Sequence, residues 1–113
     1  MNGIIRKAVL QDAEAMAVLD NQCFTVPWSR QAFEQELSDN GAAFYLVAVL
    51  EHKIVGYAGL WMVFEEGHIT NIAVAPAYRR KGIGERLLSE LIRITEEMGV
   101  ERYTLEVRAS NEL

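Results

Sequence analysis

Hydrophobic positions change period several times along the chain, and each change marks an element. Ile4 to Val9 is a short apolar-rich run, interrupted by Arg6 and Lys7, and predicts a strand. From Gln11 to Phe24 the apolar residues Ala13, Met16, Ala17, Cys23 and Phe24 recur at helical spacing. Pro27 then breaks that helix, Ser29 is a favoured N-cap, and Phe33 and Leu37, four apart, share one face of a second short helix that Asp39, Asn40 and Gly41 end. Ala43 to Glu51 and Ile54 to Val63 are rich in β-formers and flank the turn Glu51-His52-Lys53, so they predict a hairpin. After a second turn at Glu65, Glu66 and Gly67, His68 to Val74 forms a third strand of a meander, stopped by Ala75 and Pro76. Ile83, Leu87, Leu91, Ile94 and Met98 then repeat at intervals of four and three, a helix with one buried stripe that Gly99 stops. Tyr103 to Val107 returns to strand, with Tyr103, Leu105 and Val107 on one face and Thr104, Glu106 and Arg108 on the other.

The order is strand, two helices, a three-strand meander, a helix and a strand. It predicts an α/β (α+β) domain with a mixed central sheet, in which the last helix joins two parallel strands. A chain of 113 residues holds one such domain around one core. Half its residues are hydrophobic and 24% charged, a globular balance rather than a disordered one. The net charge of −5 argues against a broad nucleic-acid surface, which needs many phosphate-neutralising cations, and weakly favours cationic partners. Cys23 is the only cysteine, so no internal disulfide forms, and the N-terminus carries no export signal, which makes the cytoplasm the expected compartment. Apolar runs such as Ala42 to Leu50 fall well short of the roughly 20 residues that cross a bilayer, so no membrane partner is expected. His52 and His68 have no ligand partners at metal spacing, and no metal is expected.

The most informative stretch is Asn71-Ile72-Ala73-Val74-Ala75-Pro76, followed by Ala77-Tyr78 and then Arg79-Arg80-Lys81-Gly82-Ile83-Gly84 at the start of the strong helix. A strand runs into a glycine-containing loop. Gly82 and Gly84 let the backbone approach a ligand, the helix start offers free N–H groups and a positive dipole, and three cations add charge, so a phosphate or pyrophosphate is the expected guest. The P-loop spacing is absent, and Leu87 stands where the dinucleotide fingerprint wants a small residue. Taken alone, the loop reads equally well as a solvated basic turn.

Read together, these segments resemble the GNAT superfamily of N-acetyltransferases. Its pyrophosphate loop has Gln or Arg, two residues, Gly, one residue, then Gly or Ala, and Arg79, Gly82 and Gly84 fill that pattern. Pro27-Trp28-Ser29 and Leu105-Glu106-Val107-Arg108-Ala109-Ser110-Asn111 are similar to the type that acetylates the N-terminal alanine of a ribosomal protein. The resemblance implies the GNAT fold, acetyl-coenzyme A as acyl donor, and a ribosomal-protein N-terminal peptide as acceptor. It implies coenzyme contacts at Ile72, Ala73 and Val74, along Arg79, Arg80, Lys81, Gly82, Ile83, Gly84 and Glu85, and at Asn111, with Glu106 as general base. On spacing alone, Glu106 reads as a solvent-facing carboxylate paired with Arg108. Trp28 reads first as a packing anchor and second as a substrate contact, and Cys23 as a small buried hydrophobe.

The mechanism so implied is direct attack of the amine on the thioester, with Glu106 removing a proton through water. An N-terminal amine has a pKa of about 7.7 to 8.0, so it must lose a proton before attacking near neutral pH. In the resembling enzymes a further helix with a Tyr acid and more strands follow the Ser-Asn pair, whereas Tyr45, Tyr57, Tyr78 and Tyr103 all lie upstream of it. The expectation is therefore a C-terminally incomplete domain over residues 1–113, lacking the last strands, with an open sheet edge at which a second copy pairs into a homodimer. Acetylation of lysine or small amines, and a non-catalytic acyl-coenzyme A module, are the alternatives.

Overall fold

A computed structural model describes residues 3–106. β1 (Gly3–Lys7) is followed by a 3-10 turn, Leu10–Asp12, and then by α1 (Ala13–Cys23) and α2 (Arg30–Ser38). The meander is β2 (Ala43–Leu50), β3 (Lys53–Val63) and β4 (Glu66–Val74), and after a second 3-10 turn come α3 (Ile83–Glu97) and β5 (Arg102–Leu105). The five strands lie side by side in chain order, antiparallel except for the parallel pair β4 and β5. The mixed α/β architecture expected from the pattern is therefore present.

Two apolar layers sandwich the sheet. On one face Met16, Leu19 and Cys23 of α1 and Phe33 of α2 pack with Tyr45, Tyr57 and Ala73. On the other, Ile83, Leu87 and Leu91 of α3 cover Leu46, Ala58, Leu60 and Ile69. This is what alternation of side chains across strands and a 3.6-residue stripe on a helix require of a three-layer domain.

Several boundaries differ from the pattern. β1 ends at Lys7, because the Asp12 carboxylate caps the Val9 N–H (2.8 Å) and starts the 3-10 turn. α1 ends at Cys23, well before Pro27: Phe24 is already extended, and the buried Asp20 carboxylate takes the Trp28 N–H (2.7 Å) and the Tyr57 hydroxyl. Ser29 does cap α2, its hydroxyl accepting from the Ala32 N–H at 3.1 Å. The turn before β4 is one residue earlier than expected, with Phe64 in a left-handed conformation (φ 56°). Met98 is exposed rather than part of the α3 stripe, because α3 stops at Glu97, and buried Thr95 occupies the stripe instead. Leu105 is likewise exposed, Val107 and Asn111 lie outside the described residues, and Cys23 is buried as expected.

A β-bulge interrupts the β3–β4 ladder, where Asn71 pairs with Gly59 but Ile69 already pairs with Leu60, so that Thr70 is the extra residue. Gly59 is needed there for a different reason: a Cβ on it would stand 2.2 Å from the Tyr45 ring, which lies across the bare backbone of β3. Tyr45 of β2 thereby reaches β4, where its hydroxyl accepts from Asn71 Nδ2 at 2.8 Å.

Candidate active site

The site is built where β4 and β5 part. Among the described residues their parallel pairing runs from Glu66 with Arg102 to Ile69 with Leu105, and the Glu106 N–H adds a last rung to the Ile69 carbonyl at 2.9 Å. Beyond this, β4 continues to Val74 and, among the described residues, pairs with β3 alone. Ala75 donates to Val55 of β3, so by strand alternation Ala73 also faces β3, while the Ile72 and Val74 amides turn to the side that β5 has left. A fork results, with Glu106 at the tip of one arm and outward amides along the other.

Glu106 shares a face with Thr104, and β5 presents both to His68 of β4. The His68 ring has its Nδ1 2.9 Å from Thr104 Oγ1 and 3.6 Å from Glu106 Oε1, and its Nε2 3.3 Å from Glu66 Oε1. The Glu106 carboxylate is largely exposed. It therefore stands open to a water or an amine on one side, with an imidazole between it and a second carboxylate on the other. Such an arrangement can accept a proton at Glu106 and pass it towards solvent. Arg108, the alternative partner of Glu106, lies outside the described residues.

Past the open arm, β4 runs through Pro76–Tyr78 into the glycine loop. Arg80 (φ 65°) and Gly82 (φ 79°) both take left-handed conformations, and Gly82 is the N-cap of α3. Alternating backbone handedness of this kind curls successive N–H groups into a concave anion cradle, and the α3 dipole adds to it. A Cβ on Gly82 would meet nothing within 4 Å, and one on Gly84 would meet only Val74 Cγ2 at 3.6 Å. Both glycines thus border a hollow of about 300 Å³ lined by Val74, Tyr78, Arg79, Arg80, Ile83 and Glu85. Arg80 and Lys81 are exposed beside it. The Arg79 guanidinium turns inward instead, donating to the Val74 carbonyl (3.0 Å) and to Cys23 Sγ (3.4 Å). It braces the end of β4 against α1.

The remaining expected residues are placed as follows. Ile72 and Val74 turn their side chains to the α3 layer, whereas Ala73 belongs to the α1/α2 layer. Trp28 packs on that layer, its ring 5.4 Å from Phe33 and tilted by 50°, and it also borders a groove with Asn21, Gln22 and Pro27. Among the described residues no group of three or more His, Cys, Asp or Glu is placed to hold a metal ion, and no helix is long and apolar enough to cross a membrane.

Two contributors were not visible in the pattern. His68 looked like a lone strand opener, and only the register of two strands more than thirty residues apart puts it beside Glu106. In the sequence Tyr45 is only one of the tyrosines upstream of the Ser-Asn pair. Burial, with the neighbouring Glu36 carboxylate, pushes its phenol well above the usual range, so it works as a neutral hydrogen-bonding group.

A splayed parallel pair, a cradle at the following helix and an exposed carboxylate at the fork define an acyl-transferase architecture, and the comparisons agree. The chain belongs to the acetyltransferase (GNAT) family, whose model matches residues 13–113. It is 36% identical over 107 residues to the candidate ribosomal protein bS18-alanine N-acetyltransferase of Bacillus subtilis, covering 95% of this chain and 71% of that protein. It is 35% identical over 100 residues to the ribosomal protein bS18-alanine N-acetyltransferase of Escherichia coli, covering 88% of this chain and 66% of that one. The crystal structure of the ribosomal-protein-S18-alanine N-acetyltransferase from Escherichia coli superposes with a TM-score of 0.84 at 31% identity, over 97% of this chain and 70% of that chain. The PaiA N-acetyltransferase of Thermoplasma acidophilum, solved with coenzyme A, shares the fold at a TM-score of 0.83 and 19% identity, over 93% of this chain and 79% of that one. The chain thus spans about two thirds of the length of the Escherichia coli relative.

Proposed function

We propose that this domain transfers the acetyl group of acetyl-coenzyme A to the N-terminal α-amine of a protein that begins with alanine, a ribosomal protein in the cytoplasm being the natural acceptor. The observation that carries the reading is the fork: among the described residues Glu106 makes the last rung to Ile69, and the Ile72 and Val74 amides directly beyond it face away from β3. The identity to relatives named for ribosomal protein alanine acetylation supports the choice of acceptor. An acidic chain, net −5, also suits a cationic peptide.

In this reading the backbone N–H groups of Arg79 to Glu85 hold the pyrophosphate, with Arg80 and Lys81 adding charge, and the outward amides of β4 hold the pantetheine arm. Asn111, expected to contact the coenzyme, lies outside the described residues. The acceptor amine enters on the face that carries His68, Thr104 and Glu106. Glu106 removes its proton, directly or through one water, and His68 stands ready to take that proton onward to Glu66. The nitrogen lone pair forms the new C–N bond, the carbonyl oxygen gains charge facing an outward β4 amide, and the thiolate leaves. Trp28 serves as a packing anchor that shapes the entrance between α1 and α2.

The test is incubation with acetyl-coenzyme A and a set of peptides, half of them Ala-starting and basic, half with a blocked N-terminus and free lysines, read by mass spectrometry. Acetyl is expected on the alanine amine. Acetylation of lysines alone, or of neither class, overturns the acceptor assignment. A homodimer through β5, which with β1 is one of two edge strands among the described residues, is a separate reading tested by light scattering.

A further inference from the structure

The fork geometry itself needs a cause, because β4 must leave β5 at a fixed angle if a base on one arm is to face amides on the other. Asn71 sits just past the last rung that joins β4 to β5 among the described residues, one residue after the bulge. It lies between Ile69, which takes the last rung from Glu106, and Ile72, the first outward amide. Its side chain is fully buried, yet Oδ1 has no partner among the described residues. A buried amide with half its capacity unmet is costlier than an apolar side chain of the same size. Packing alone does not explain an asparagine there.

Its held half leads back through the molecule to α2. Asn71 Nδ2 donates to the Tyr45 hydroxyl (2.8 Å), and that hydroxyl donates to Glu36 Oε1 (2.8 Å). The direction of each bond is fixed. The Trp61 indole, a donor only, reaches the same Oε1 at 2.7 Å, so that oxygen is an acceptor. Tyr45 has one proton and gives it to Glu36, which leaves only a lone pair for Asn71, and Asn71 must therefore present its NH₂. Asn40 Nδ2 steadies the other carboxylate oxygen at 3.0 Å. Glu36 thus holds the Tyr45 ring down across Gly59, and the ring holds the first residue after the bulge.

The geometry points to Glu36, Tyr45 and Asn71 as a positioning chain that fixes the angle between β4 and β5, and so the distance from Glu106 to the attacked carbonyl. None of the three touches a reacting atom; they act through the β4 backbone. The inference rests on the transferase reading above and adds to it the residues that hold the site in register.

Tyr45→Phe removes one hydroxyl, and Glu36→Leu removes its anchor. Each is expected to lower kcat between about tenfold and a hundredfold, the cost of misplacing a catalytic group by about 1 Å, while the KM for acetyl-coenzyme A stays unchanged. The double variant is expected to be no worse than either single, since both cut the same chain. Glu36→Gln keeps an oxygen for Tyr45 and Trp61 and is expected to retain most of the activity. Amide hydrogen exchange supplies a readout independent of turnover: the Glu106 N–H, bonded to Ile69, is expected to exchange faster in Tyr45→Phe and Glu36→Leu but not in Glu36→Gln. Wild-type kcat and Glu106 exchange in Tyr45→Phe overturn the chain. So do additive losses in the double variant, or a Glu36→Gln as impaired as Glu36→Leu, which would make charge rather than hydrogen-bond direction the operative property. A wild-type protein that acetylates no amine refutes the transferase reading, while exchange at Glu106 still decides whether the chain holds the fork.

Discussion

Two neighbouring glycines in the anion cradle are expected to respond to the same substitution with opposite signs. Gly82 holds φ 79° as the N-cap of α3, where an L side chain is strained. Alanine there costs about 1 to 2 kcal/mol in left-handed strain. Loss of unfolded-state freedom returns about 0.4 to 1 kcal/mol, for a net loss near 1 kcal/mol. Gly84 is already helical, and its new methyl would sit in ordinary contact with Val74 Cγ2 at 3.6 Å, so alanine there gains about 0.5 to 1 kcal/mol of helix propensity. For a domain of this size each kcal/mol moves the melting temperature by about 4 to 6 °C, which places Gly82→Ala about 4 to 6 °C below wild type and Gly84→Ala about 2 to 6 °C above it. Calorimetric titration with acetyl-coenzyme A then separates stability from binding. Gly84→Ala is expected to bind nearly as wild type, since the hollow accepts one methyl, whereas Gly84→Val fills it and abolishes binding. Gly82→Ala is expected to lose about tenfold, because relaxing φ turns cradle amides away. If both alanine variants shift stability in the same direction, the cradle conformation argued here is wrong. If Gly84→Val binds normally, the pyrophosphate sits elsewhere.

Glu106→Gln is expected to lower kcat by about 10² to 10⁴ with coenzyme affinity intact, and His68→Ala by a smaller factor; equal loss of coenzyme affinity in titration would remove the base assignment. Gly59→Ala drives a methyl into the Tyr45 ring and is expected to cost about 1 to 3 kcal/mol in urea unfolding, with a rise in Glu106 amide exchange. Asp12 accepts two hydrogen bonds from Arg6 (2.8 and 3.0 Å) and one from the Val9 N–H, and the Arg6 bonds, chiefly, hold its carboxyl below the usual range. Its contribution is therefore complete above the ordinary carboxylate value near 4 and fades as pH falls through the lower folded value. Asp12→Asn is expected to cost about 1 to 2 kcal/mol at pH 7, allowing for solvent screening at half-exposed Arg6, and the gap to wild type should close in acid. A gap that persists at pH 2 to 3 contradicts this.

Local signals carried much of this molecule. Ser29 caps α2 as its residue type implies, Ile83, Leu87 and Leu91 form the buried stripe, and the glycine spacing located the cradle because it answers to backbone conformation at adjacent residues. What stayed hidden depends on register between distant segments. His68 meets Glu106 only because Gly67 pairs with Tyr103 and Ile69 with Leu105. The Arg79 guanidinium looked like phosphate-binding charge, but it donates to the Val74 carbonyl at the end of β4, a contact across five residues that spacing does not show. The extra residue at Thr70 stayed hidden for the same reason, since it shows only in how β4 pairs with β3: Asn71 with Gly59, and Ile69 with Leu60.

That extra residue also divides the labour of β4. Before it, the strand is held on both sides, by β3 and by β5; after it, among the described residues, it is held by β3 alone. In the proposed reaction its side chains address the acceptor before the bulge, and its main chain addresses the coenzyme after it. Side chains are what mutation changes, and main chain is what it spares. On that reading selection can alter residues 66–70 and their partners on β5 to follow a new acceptor, while a grip on the acyl donor made of amides survives almost any substitution beyond the bulge that preserves the backbone path. A family with one donor and many acceptors is the expected descendant of such a strand, and changing the acceptor of this chain by design belongs on the N-terminal side of Thr70.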